Sequence, residues 1–429
     1  MSIISSMYAG ASGLKSHSDA MGIVSDNIAN VNTVGFKKSR ANFADVLGGS
    51  MRGKGVGQGS MVNSVQTSFL QGSFLGTGNT TDLAIGGDGF FVVNGNFNGV
   101  NNNFYTRNGA FTLDEEGFVQ NTDGLKVQGY ASDGAGGVAN ALSDLQIDTS
   151  SIQPNPTTEM SIVANLDAEQ AVSGVTWDPL DPSNTSDFST AVTVYDSLGI
   201  EHQVEVYYQK TATAPNATWD YHVMAPGAEL DPASATPLVE LGSGTATFGT
   251  DGSLTSYDLN SITANWLGAE PASIALDFGS DTSSGGTGVD GITQYALESS
   301  VSYMSQDGYS SGDLAGLAVN DAGILTGMFS NGQQRTLGQV GLAKFASNDG
   351  LNRAGSSLFA STNDSGQAVL GSAGTGGRGT IISGSLEASN VDLAQQFVEM
   401  ISLQRGFQSN SRSITTADEM LGDVLAIKR

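Results

Sequence analysis

The chain contains no cysteine. Thiol catalysis, disulfides, cysteine-ligated zinc and iron–sulfur clusters are therefore excluded. Charge is scarce: 14% of the 429 residues are Asp, Glu, Lys or Arg. Basic charge is scarcer still, and between Lys126 and Arg335 the sole Lys or Arg is Lys210, while residues 149–294 carry 19 acids. The net charge of −26 is therefore uneven, because residues 1–75 hold six basic and three acidic residues. A surface this acidic repels nucleic acid and anionic membranes, and a solvated face is the plain reading of it. No long apolar run follows the first basic residue, Lys15. Neither a transmembrane segment nor a cleaved secretory signal of the usual kind is expected, so the chain stays in the cytoplasm or leaves by another route.

Glycine, by contrast, is abundant at 57 residues, beside many Ser, Thr, Asn and Asp. This composition reads as short strands joined by turns, and 39% hydrophobic residues with 18 Phe argue against a disordered chain. From about residue 80 to 375 the hydrophobic period is two. "DLAIGGDGFFVVNGNFNGVNNNFYTRNGAFTLDEEGFVQNTDGLKVQGY" (82–130) reads as successive strands with Asp-Gly, Asn-Gly and Glu-Gly turns. Residues 193–208 read as a hairpin turning near Asp196–Gly199, and residues 323–345 as another turning at Asn331-Gly332. Composition shifts at 48–60, 152–160, 279–291 and 371–380 mark boundaries. The expected fold is mainly β: two β-rich globular domains flanked by N- and C-terminal α-helices that pack as a coiled-coil-like core. The expected division is a helical core at 1–35 and 385–429, connectors at 36–80 and 371–384, a first β domain at 81–150 and 293–370, and an acidic outer β domain inserted at 151–292.

Both ends carry seven-residue repeats. Met7, Leu14, Met21 and Ile28 form one N-terminal column, and Ile3, Gly10, His17, Val24 and Val31 the other. At the C-terminus Leu393, Met400, Phe407, Ile414 and Leu421 fall seven apart, beside the half-polar column Phe397, Gln404, Ser411, Asp418 and Leu425. Ser389 with Asp392 fits a capping box, which starts a helix near Asn390. Each stripe needs a partner, either the other helix or a neighbouring copy. Each helix also carries glycines, costing about 1 kcal/mol apiece relative to Ala, so both depend on packing.

Apparent catalytic motifs lack their context. "GYSSG" (308–312) fits a nucleophile elbow at Ser310, but no helical pattern follows and His17, His202 and His222 all precede it. "GTGGRG" (374–379) fits a dinucleotide fingerprint, but the β-prone "TIISGS" follows. "GGDGF" resembles a calcium turn without the nonapeptide repeat. No catalytic residue, metal site or cofactor is expected. Lys37, Lys38 and Arg40 sit between Phe36 and Phe43, too few charges for nucleic-acid binding in so acidic a chain.

"NIANVNTVGFK" (27–37), with Asn27, Asn30, Asn32, Gly35 and Phe36, resembles the N-terminal signature of bacterial flagellar axial proteins. "SLEASNVDLAQQFVEMISLQRGFQSNSRSITTADEML" (385–421), with Asn390, Gln404, Arg405 and Gly406, resembles their C-terminal one. "DLAIGGDGFFVV", "VYDSLG" and "QDGYSSGDLAGLAVNDAGILTGMFSNGQ" extend the resemblance to the hook branch of that family. The resemblance implies a structural protein and no enzyme: a homopolymer subunit of a curved, hollow extracellular tube that acts as a universal joint between rod and filament. Its implied partners are the distal rod protein, the hook–filament junction protein, the hook-capping protein and the flagellar type III export apparatus. The implied route out has no cleaved signal peptide. A distal rod subunit is the nearest alternative, and a surface adhesion module the alternative of another class. On this reading the Asn-rich stretch ends a core helix through left-handed Asn and side-chain competition for backbone bonds, Gly35-Phe36 turns the chain outward, and the basic run either meets acidic residues of other copies or simply serves solubility.

Overall fold

The computed structural model describes residues 3–51, 54–134, 136–213, 215–258 and 261–427. Among these, three α-helices, α1 (Ile3–Ala29), the single-turn α2 (Pro182–Thr185) and α3 (Leu393–Ile427), punctuate a chain otherwise built from strands. The fold is mainly β with terminal helices. The chain forms two compact units. One comprises residues 1–149, 316–328 and 334–429, and the other residues 150–315 and 329–333.

In the first unit, α1 leads into a long antiparallel hairpin of β1 (Ser39–Met51) and β2 (Lys54–Thr67), paired from Ser39↔Thr67. The sequence reading placed a connector here. The Gly-rich run marks a composition boundary, yet the strand ladder continues through it to Met51↔Lys54. Arg52 and Gly53 of the Gly-rich run lie outside the described residues. Beyond the hairpin, strands Gln334–Lys344, Lys126–Ser132, Phe90–Phe97, Val100–Thr106 and Leu358–Ala360 lie side by side, each neighbour antiparallel. Asn98 (φ 52°) and Gly99 (φ 82°) make the two-residue turn between Phe97 and Val100. Both are left-handed, which is why Asn-Gly suits a tight hairpin. Buried Phe90, Tyr105, Phe345 and Phe359 close one face of the sheet, with Tyr105 and Phe345 edge-to-face at 4.7 Å.

The second unit holds a five-stranded antiparallel meander, Phe188–Tyr195, Glu201–Ala212, Ala217–Pro226, Leu238–Phe248 and Leu254–Tyr257. A four-stranded sheet accompanies it, ordered Ile262–Ala264, Ala272–Asp277, Glu159–Asn165 and Ser300–Gln306. Period-two alternation buries Val204, Val206 and Tyr208 with Trp219, Tyr221, Phe248, Phe278, Ile162 and Ile274 in one core. Each such side chain contributes about 1.5–3 kcal/mol of burial, so this unit carries its own stability. The acidic block was expected to end at residue 292. Instead Ser300–Gln306 pairs with Glu159–Asn165, because composition tracked charge while the boundary follows strand pairing. The two rejected motifs have strands behind them: Leu314–Val319 after Ser310, and Thr380–Ser383 after "GTGGRG".

Candidate self-assembly site: the terminal helices

The roots of α1 and α3 are joined by buried polar groups. Asn27 is 1% exposed. Its Nδ2 donates to Ser39 O (2.7 Å) and Gln396 Oε1 (2.9 Å), and its Oδ1 accepts from Ser39 N (2.9 Å). One side chain thus continues the β1 backbone and binds α3. Asn390 does the same from the other end, accepting from Lys38 N (2.8 Å) and donating to Ser68 O and Leu70 O. Asn30 turns back to Asp26 O, whereas Asn32 is exposed. None of these asparagines is left-handed, contrary to expectation. Gly35 takes that role at φ 67°, where a Cβ would stand 2.5 Å from Asn108 N. Phe36 is buried beneath the Arg353 guanidinium at 4.8 Å.

Lys37 does not await a neighbour. Its Nζ donates to Glu387 Oε1 (2.6 Å) and Leu70 O (2.8 Å), and both charged side chains are fully buried. Arg107 Nη1 reaches the other oxygen of Glu387 at 3.2 Å, and Gly72 N donates to Oε1 at 2.9 Å. Burial pushes the Lys37 ammonium and the Arg107 guanidinium below their ordinary values, against the pull of Glu387. Removing Glu387 would strand two buried cations, a loss of about 3–5 kcal/mol. Lys38 and Arg40 also bond within the chain, to Gln395 and Gln66. The basic run was read as an external contact because sequence spacing says nothing of an acid 350 residues away.

Above this root the two helices run antiparallel. Gly10 faces Ile414, Gly13 faces Asn410, and Gly406 faces His17. A Cβ on Gly13 would lie 2.6 Å from Asn410 Nδ2, so the glycine permits the close approach. The most buried α1 residues are Gly10, Gly13, Ser16, Ala20, Val24 and Asn27; those of α3 are Gln396, Leu403 and Ala417. Ala20, Val24 and Leu403 form the apolar centre, flanked by Met21, Ile28 and Met400. Met7, Leu14, Ile414 and Leu421 are half-buried. Leu393 and Phe407 remain 40% and 38% exposed, as do Phe397 (50%), Val398 (69%) and Ile401 (50%). On α1 the seam keeps Gly10, His17 and Val24 of the second column and takes Gly13, Ala20 and Asn27, one residue N-terminal to Leu14, Met21 and Ile28; on α3 it takes Gln396, Leu403, Asn410 and Ala417, one residue N-terminal to the Phe397–Gln404–Ser411–Asp418 column. The side chains of Ile3 and Leu425 lie outside the described residues. Gln404 and Arg405 are exposed. The helix begins at Leu393, not near Asn390. Asp392 is its cap, accepting from Gln395 N (3.1 Å), while Ser389 accepts from Val391 N in a separate turn.

Comparison with known proteins places this arrangement. Residues 7–37 match the family described as flagella basal body rod protein, and residues 382–427 the flagellar basal body rod FlgEFG protein C-terminal family. Residues 84–165 match the flagellar hook protein FlgE/F/G D1 domain, and residues 165–309 the flagellar basal body protein FlaE D2 domain. The matches define the class: a structural protein of the flagellar axis. The flagellar hook protein FlgE of Borreliella burgdorferi is 34% identical over 99% of both chains. That of Escherichia coli is 36% identical over 97% of this chain and 98% of its own. The chain belongs to the flagellar hook protein family. A crystal structure of Helicobacter pylori flagellar hook protein FlgE2 shares the fold at a TM-score of 0.54 and 17% identity, covering 73% of this chain and all of that one.

Proposed function

We propose that this chain polymerises into the curved, hollow tube of the flagellar hook and works there as a universal joint between rod and filament. The observation that carries the reading is the apolar face of α3, from Leu393 through Phe397, Val398 and Ile401 to Phe407, which the α1–α3 seam leaves open. Neighbouring copies would cover it, so that the terminal helices form a coiled-coil-like inner wall and the β domains the outer layers. Met7, Leu14, Met21, Ile28, Met400, Ile414 and Leu421 would serve the same packing. The subunit then divides as helical core, connectors, first β domain and acidic outer domain. Its partners would be further copies of itself, the distal rod, hook–filament junction and hook-capping proteins, and the flagellar type III export apparatus. It would reach the cell exterior without a cleaved signal peptide.

The experiment is Phe407→Asp, followed by electron microscopy of sheared flagella and by circular dichroism of the purified subunit. A carboxylate buried in an apolar contact costs several kcal/mol in every subunit, so hooks should be absent while the β signal is retained. Normal hooks built from this variant would remove the face from the assembly contact.

A further inference from the structure

The helices α1 and α3 oppose each other in one antiparallel register. Gly13 faces Asn410, His17 faces Gly406, and Asn27 binds Gln396, so each step along one helix is matched by a step back along the other. The seam repeats every seven residues, as Gly13, Ala20 and Asn27 on α1 and as Gln396, Leu403, Asn410 and Ala417 on α3. A slip of one heptad moves a helix about 10.5 Å along its axis and turns nearly the same face to its partner. It would set Gly13 against Ala417 and Ala20 against Asn410, small residues against small or polar ones as before. Close packing of small residues fixes the separation of two helices, but apolar contact is non-directional and separates such registers poorly. The hydrogen bonds at the root do separate them. The slip would take Asn27, 1% exposed, from Gln396 to the apolar Leu403.

We propose that the buried polar root is the register key of this helix pair, with Glu387 at its centre. The Glu387 carboxylate, just ahead of α3, is held from three directions: by Lys37 from the exit of α1, by Arg107 from the end of strand Val100–Thr106, and by Gly72 N from the segment after β2. Its carbonyl accepts from Gly35 N at 2.8 Å, and the next residue, Ala388, donates from N to Ser73 O at 2.8 Å. The pairing Glu387↔Phe74 adds to this hold. The entry to α3 is thus fixed to the exit of α1. Helix α1 is fixed in its turn to β2, where Ser16 Oγ donates to Ser60 O (2.7 Å) and Ser60 N to Ser12 Oγ (3.2 Å). A buried charge tolerates one position, because displacement strips it of its partners. Sliding α3 by a heptad would draw Glu387 away from both cations. The seam would survive that slip and the root would not. If neighbouring copies cover the open face of α3, as proposed above, a slipped subunit would offer that face about 10.5 Å out of step with the tube. On that reading the root also selects the subunits that can join.

The chain has no cysteine, so engineered pairs report the register as disulfides. His17→Cys with Gly406→Cys reads the observed register. His17→Cys with Ser413→Cys, and His17→Cys with Glu399→Cys, read slips of one heptad in the two directions. Replacing His17 also removes the ring that fits over Gly406, a bulk that would itself favour the observed register. With the root intact, oxidation of the full chain should give the first cross-link in large excess over the other two. Glu387→Gln keeps the shape and removes the charge, and should raise a slipped cross-link to a yield comparable with the first. Asn27→Ala leaves the three charged groups in place and should raise it in part, so it carries the test where Glu387→Gln fails to fold. All three cross-links in equal yield with the root intact, or the first alone in both root variants, overturns the proposal. The cross-links are read on the unassembled chain, so their outcome stands apart from that of Phe407→Asp.

Discussion

Single residues at the root of the helix pair do more than their types announce. Asn27 and Asn390 were legible as signature positions, but not as side chains that stand in for backbone. Each completes a strand-like contact and reaches a distant segment, and no local pattern encodes a partner more than 300 residues away. The same reason hid Glu387 as the acid that holds Lys37 and Arg107. A pH prediction belongs to this scale. Burial raises the Tyr207 and Tyr221 phenols to about 12, and it raises Tyr208 as well. The unfolded chain ionises its phenols near 10, the fold higher, so stability is complete below about pH 10 and falls as pH climbs above it. Lys37 has the opposite sign: its lowered value makes the first unit gain as pH rises towards 10.5. Alkaline unfolding should therefore start in the second unit, with phenolate absorbance and loss of its tryptophan signal rising together above about pH 10. Loss of the first unit's helical signal at lower pH than the second unit's signals would contradict this.

At the scale of elements, the heptads announced two helices and the alternation announced strands. The Asp196–Gly199 and Asn331-Gly332 turns also fall where turn residues pointed, flanked by Tyr195↔Glu201 and Met328↔Gln334. What the stripes could not show was which column meets the other helix. Hydrophobicity marks the Leu393–Phe397–Phe407 side of α3, yet the seam uses its Gln396, Leu403, Asn410 and Ala417 side. Small residues let two backbones approach, and a bulky column cannot enter that gap. Gly13→Leu tests this directly. The side chain would collide with Asn410, and overpacking of this kind typically costs about 1–3 kcal/mol. Helical circular dichroism should melt earlier by several degrees, with the β units unaffected. Gly22, whose added Cβ meets nothing within 4 Å, is the matched control, and Gly22→Ala should be neutral or stabilising. Equal destabilisation by both would place α3 elsewhere than against Gly13.

For the whole molecule, the division of labour is between units that bury their own cores and a helix pair that does not finish burying its apolar surface. The family was legible from the two terminal signatures. The inner boundary of the acidic block was not, because pairing of Ser300–Gln306 with Glu159–Asn165 leaves no compositional trace. The central claim is that neighbouring copies cover the open face of α3. The cysteine-free chain allows a direct measurement: single cysteines at Ile401 and at Leu403, labelled by a maleimide in the monomer and in assembled hooks. Ile401 is 50% exposed and Leu403 8%. The account predicts fast labelling of Ile401→Cys in the monomer, strong protection of it in the hook, and slow labelling of Leu403→Cys in both. Equal labelling of Ile401→Cys before and after assembly would contradict it.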